Sequence, residues 1–402
     1  MPQTATPETV TPKRRRWPRV LLVIGLVLIL LIGAAYVATA VMRVPAPHNI
    51  MTLLNTAPSK QGELLPSRTI PASQNPTTFV QNTDVTMPQT VPWKNEELPL
   101  DEVLGLTNTN AFVVLHNGEV VDEWYAEGVT PETRLSSWSV AKSIVSLQVG
   151  QAIAAGKLSE DDLLVDVVPE LKTGGDFDTV TIGDLLDMAS GVDIPENYSE
   201  LWPFTGTARL FLSEDLPSYI KAHRELTYEP GSQATYRSVD TLLLGMVLAE
   251  VGGEPISDQL AENLWAPMGA QDSATWNLDR EGGMEKAFCC INATAMDFAR
   301  VGQMVLDDGE ANGQQIISKE WIDRISTPAK NSVLDWGYSA QWWHLPGNDQ
   351  DFSAIGIYGQ YIYVNPEDDT TIVKLSDYGT EQDELETVNM MRAIAADLNN
   401  QS

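Results

Sequence analysis

Ser139 and Lys142 stand three residues apart in "LSSWSVAKSIVSL", residues 135–147. On a helix that spacing puts the hydroxyl and the amine on one face. The neighbours are those of a helix packed into a core, so the lysine must be paired, reach solvent, or be put to chemical use. Burial disfavours the charged form and depresses a lysine pKa. A lysine held dry beside a serine can then act as a base toward the hydroxyl, which an exposed lysine at neutral pH cannot do. The start of the helix adds its positive end beside Ser139 and favours negative charge developing there. The chemistry this predicts is attack by a serine oxygen on a carbonyl carbon.

The spacing alone is weak. Ser218 and Lys221 repeat it in "SEDLPSYIKAHREL", where charges on most sides predict a solvated lysine. Ser139 differs in its apolar setting and in the motifs downstream of it.

Elements must hold such a site. "NAFVVLHNGEVVDEWYAEG" (110–128) has two alternating apolar runs about His116-Asn117-Gly118, a hairpin signal. Helices are expected over 139–155, 180–192, 238–253, 293–309 and 384–400, several of them closed by glycine or capped. A second hairpin is expected over 359–379, turning at Asn365 to Asp369. Strands at both ends with helices between predict an α+β fold, in which an antiparallel sheet joins the two hairpins and a mostly helical lobe fills the middle.

Residues 20–42 form 23 residues without a charge, about 34 Å of helix and enough to cross a hydrocarbon core. "KRRRWPR" precedes them and by the positive-inside rule keeps the N-terminus cytoplasmic. "ATA" at 38–40 leaves open a cleaved signal peptide; either way the remainder is delivered outside the cytoplasm. Eight of the 24 prolines fall in 44–92, which reads as an extended stalk or a strap over the domain. The expected organisation is a cytoplasmic basic tail (1–19), a transmembrane anchor (20–42), a Pro-rich stalk or extension (43–95) and a globular domain (96–402).

Net charge is −30, and the chain beyond residue 43 carries 19 basic against 54 acidic residues. Such a surface repels phosphate backbones and argues against a nucleic-acid partner. Cys289 and Cys290 are the two cysteines and are adjacent, which excludes a disulfide framework and gives no zinc site.

Three stretches in order carry a resemblance: Ser139-Val140-Ala141-Lys142, then "YEPGSQATYRSVDTLLLGMVLAE", then "GIYGQYIYVNPEDDTTIV". The chain resembles the serine β-lactamase and D,D-peptidase superfamily, above all the class C-like branch of 6-aminohexanoate-dimer hydrolases and related esterases. "VTIGDLLDMASGVD" and "AFCCINATAMDFARVGQMVLDDGEANGQQIISKEWI" resemble that branch between the motifs, and the likeness runs from about residue 100 to the C-terminus. It implies a β-lactamase-like fold. It also implies that Tyr236 relays a proton between Ser139, Lys142 and the leaving group. Ser238 stands where the family more often has Asn. Ala354-Ile355-Gly356 stands where β-lactamases carry Lys-Thr-Gly, so the basic group that holds a substrate carboxylate is missing. The backbone N–H groups of Ser139 and Ile357 would form the oxyanion hole, and Gly356 would let substrate approach the strand. Tyr198 resembles a substrate-contacting tyrosine of the amide-hydrolysing branch. Trp343, with Trp342 and Trp202, is a candidate for the pocket wall, packing being the alternative. Cys289-Cys290 resembles a family feature and is expected to be a buried inert pair. His344 is the only histidine near a motif.

The expected function is a membrane-anchored serine hydrolase that cleaves an ester or amide through an acyl-enzyme on Ser139, with no metal or cofactor. Its partners would be that small-molecule substrate and the lipid bilayer, through residues 20–42. The alternatives are a β-lactamase or D,D-peptidase acting on cell-wall peptides, and a catalytically silent sensor domain. An α/β-hydrolase is disfavoured because no Gly-x-Ser-x-Gly elbow occurs.

Overall fold

The computed structural model describes residues 17–198, 203–347, 350–379 and 383–401. Two compact units are present, residues 1–52 and residues 53–402. The first contains a helix, Trp17–Met42, whose stretch Val20–Met42 is long and apolar enough to cross a membrane. A secretion signal has the same length and composition.

The second unit is built on a seven-stranded antiparallel sheet. From edge to edge its strands are Gly337–Ser339, Trp342–His344, Phe352–Gly356, Gln360–Asn365, Thr370–Ser376, Thr109–His116 and Glu119–Tyr125. The first expected hairpin is Thr109–His116 with Glu119–Tyr125, and the second is Gln360–Asn365 with Thr370–Ser376. The two join where His116 meets Thr370 and Phe112 meets Lys374.

Period-two alternation assigns the two faces of the sheet. Ala111, Val113 and Leu115 belong to one apolar core, and Phe112 and Val114 to the other. The first face packs on helix Ala295–Leu306 and the second on the terminal helix Glu384–Asn399. Gly302 is required in the first contact. A Cβ there would lie 2.5 Å from Thr371 Cγ2 and 2.8 Å from Ile362 Cγ2, so only glycine lets the helix settle on the strands.

The helical lobe centres on Val140–Ala154 and Ser238–Gly252, which pack on each other. Both are buried nearly all round, as a core helix should be. The expected helix over 180–192 is shorter in the structure, Ile182–Leu186. It begins at a capping box in which Thr181 and Asp184 bond reciprocally. It stops because Met188 turns left-handed at φ +57°. Residues 58–93 lie along the second unit rather than free of it: Ser67–Ile70 pairs with Ala274–Asn277 in a second, four-stranded sheet, and Ser59 bonds Asp377.

Candidate active site

Ser139 occupies the N-cap of helix Val140–Ala154 and makes no capping hydrogen bond. A serine there ordinarily spends its oxygen on the N–H groups of the first turn. Here the residue has φ −67° and ψ −9°, a helical rather than extended conformation, and its oxygen is turned to Lys142 instead. The Lys142 Nζ donates to Ser139 Oγ at 2.8 Å and to the Phe288 carbonyl at 2.9 Å. Trp138, just before Ser139, has φ +45°. That left-handed turn is costly for a residue with a large side chain and is held by ring contacts to Phe211 and Tyr358.

Lys142 is 1% exposed. Burial pushes its pKa down to about 8, with the charge of Glu196 pulling it partly back. At pH 7 about one such lysine in ten is neutral, against roughly one in 3,000 for a solvated lysine. Tyr236 is hydrogen-bonded to the Ser139 side chain, and its ring lies 5.0 Å from Lys142 Nζ. Burial first, and then Glu196, hold its phenol well above the usual range, so it stays a proton donor at any working pH. The structure brings the three groups together.

Glu196 is the residue that sequence reasoning missed. Its carboxylate accepts from the Ser238 N–H at 2.7 Å, Ser238 Oγ at 2.8 Å, Thr207 Oγ1 at 2.6 Å and the Tyr198 hydroxyl. Ser238 and Tyr198 both line the cleft in front of Ser139, and both are tied to this one carboxylate. Nothing near Glu196 in the chain signals that. Its partners Thr207 and Ser238 lie 11 and 42 residues away.

Gly356 lies against the start of helix Val140–Ala154: a Cβ on it would be 2.8 Å from the Ser137 carbonyl and 3.0 Å from the Ser139 nitrogen. Ile357 comes next and lines the cleft together with Ser139. Trp343 is not among the cleft-lining residues. It is 6% exposed and packs tilted against Tyr236, ring centres 5.2 Å apart. Trp342 packs in the core on Phe352, and His344 is buried with Nε2 on the Ile325 carbonyl. Trp202 lies outside the described residues. Lys221 pairs with Glu170 at the surface, 3.3 Å apart, and Ser218 serves the cap of its short helix.

Cys289 and Cys290 are bonded to each other. The expected inert pair is thus a ring closed by a disulfide, placed directly after the carbonyl that holds Lys142, with Cys289 on the cleft wall. Gln341, buried, knits the lobe: its carbonyl accepts from Ser143, its side chain accepts from Thr241 and donates to Leu185 and Leu186. Among the described residues no cluster of His, Cys, Asp and Glu could hold a metal ion.

The profile of the family described as Beta-lactamase matches residues 107–396. A 6-aminohexanoate-dimer hydrolase from Paenarthrobacter ureafaciens is 31% identical over 356 residues, covering 83% of this chain and 86% of that protein. Among solved structures, a 6-aminohexanoate-dimer hydrolase homologue from Bacillus anthracis superposes with TM-score 0.75 at 24% identity, over 89% of this chain and 96% of that one. A family VIII carboxylesterase superposes with TM-score 0.59 at 16% identity, over 80% and 99%. These last two likenesses are of fold.

Proposed function

Because this chain belongs to the Beta-lactamase family of serine hydrolases, we propose that it cleaves an uncharged ester or amide bond through an acyl-enzyme on Ser139. The observation that carries the reading is the Ser139 hydroxyl, withheld from its helix cap and held 2.8 Å from the Lys142 amine. Neutral Lys142 takes the hydroxyl proton as Ser139 Oγ bonds the carbonyl carbon. The carbonyl electron pair moves to oxygen, where the N–H groups of Ser139 and Ile357 receive it. The intermediate collapses as the leaving alcohol or amine takes a proton from Tyr236, which Lys142 replaces. Water then repeats the sequence in reverse and frees the acid.

Ala354, in the place of a basic residue, supports an ester or amide without a carboxylate over a penicillin or a cell-wall peptide. The apolar stretch Val20–Met42 supports a single anchor with the N-terminus cytoplasmic and the hydrolase unit outside. The test uses the full chain in detergent with p-nitrophenyl esters. Ser139→Ala is expected to lose at least about 10³-fold in kcat. Lys142→Arg, which keeps a cation but cannot become a base, should lose nearly as much. Equal rates in Ser139→Ala and the parent would sink the mechanism, and an active Lys142→Arg would remove the lysine from its role as base.

A further inference from the structure

The cleft in front of Ser139 is walled by Leu53, Leu54, Trp138, Phe211, Phe288 and Ile357, and no charged side chain lines it among the described residues. Tyr236, which serves the leaving group in the proposed mechanism, is not part of its lining. The cleft therefore receives the other half of the substrate, the acyl group. The cavity measures about 90 Å³ for the centres of water molecules, room for more than one of them. A methylene fills about as much space as a water.

Glu196 sits beside this cleft without opening onto it. One of its oxygens accepts from Tyr198 and Ser238 Oγ, the other from Thr207 and the Ser238 N–H. Tyr198, Thr207 and Ser238 line the cleft, so the carboxylate is capped by neutral donors on that side. A substrate ammonium would have to displace one of them and shed its own water in apolar space. The curated relative is named for a dimer of 6-aminohexanoate; the walls of this cleft suit a chain of that kind without the amine.

We propose that the acyl group is an uncharged aliphatic chain seated against Leu53 and Leu54. This rests on the proposed hydrolase activity. Neither leucine lies within the matched family region, residues 107–396. The segment after the N-terminal apolar helix is thus a specificity element of the enzyme rather than a spacer.

The experiment measures kcat/KM of the full-length chain in detergent for p-nitrophenyl esters from acetate to dodecanoate, each below its micellar concentration. The rate should climb about two- to fourfold per methylene and stop climbing once the chain has filled the cleft. The 6-aminohexanoyl ester should fall at least about tenfold below the hexanoyl ester. Leu54 is 39% exposed, so Leu54→Asp should fold, and it should lower the octanoyl-to-acetyl ratio about tenfold by placing a charge on the wall. A best rate on acetate, or a 6-aminohexanoyl ester as good as hexanoyl, overturns this inference while Ser139-dependent turnover leaves the hydrolase activity standing. An unchanged ratio in Leu54→Asp removes the N-terminal segment from the site. No turnover at any length overturns both.

Discussion

In the proposed mechanism Lys142 sets the pH at which Ser139 can be activated. Its base form is needed, and that form grows as pH rises through about 8. The expected kcat/KM profile climbs about tenfold per pH unit below 8 and levels above it. Glu196 is the charge that raises the lysine pKa against burial. Glu196→Gln should therefore move the rising limb to lower pH, and a limb that stays in place would leave Glu196 only as a tether for Tyr198 and Ser238. Ser139 and Lys142 were legible because reactive residue types at helical spacing are a local signal, whereas Tyr236 was reached only through the resemblance of its motif to the family's. Glu196 was not legible. A glutamate in "GVDIPENYSE" reads as a solvated loop residue until Ser238 and Thr207 arrive from distant parts of the chain.

The disulfide loop belongs to the scale of the element. The Cys289–Cys290 ring comes directly after Phe288, whose carbonyl anchors Lys142. Cys290 has φ +74°, a conformation rare for a residue with a side chain. Opening the ring with dithiothreitol frees that backbone to relax, so kcat/KM should fall several-fold, in step with two titratable thiols, and return on reoxidation. A rate indifferent to the thiol count would show that the neighbouring hydrogen bonds, Trp276 Nε1 to the Cys289 carbonyl and Asn277 N–H to the Cys290 carbonyl, hold the segment unaided. Sequence reading could locate the pair but not its bond, because adjacency alone speaks against one. The same limit governs helix ends. Ser238–Gly252 and Ala295–Leu306 came out near their expected bounds, since their apolar runs and closing turns agree. The stretch over 180–192 did not, because Met188 leaves the helix to present its carbonyl to the Thr235 N–H.

At the scale of the molecule, several buried ionisable groups stand outside the proposed mechanism, and Lys374 is one of them. Lys374, in the middle of the sheet, is 0% exposed, bonds Ser376 Oγ at 2.6 Å, and has its pKa pushed down to about 7 by burial. The unfolded chain keeps that proton up to about pH 10.5. Between roughly pH 7 and 10.5 the unfolded state binds more protons, so this residue's burden on stability is full below 7 and fades as pH rises. Lys374→Met should raise stability at pH 6 by on the order of 1–2 kcal/mol, with the gain shrinking toward pH 10 in denaturant titrations. An equal gain at both pH values would mean that packing, not the proton, accounts for it. The α+β architecture was legible from strands at both ends of the chain. The short strands Gly337–Ser339 and Trp342–His344, and the use of Ser67–Ile70 in a second sheet, were not, because three or four residues carry too little periodicity to register. The sheet order also has a consequence for synthesis. Strand Thr109–His116 waits for Thr370–Ser376, which emerges some 254 residues later. At about 5–20 residues per second the ribosome needs roughly 13–50 s to deliver it. Through that interval the growing chain displays an open, apolar strand edge, so its yield in the cell should depend on chaperones that shield the edge until the last strand arrives.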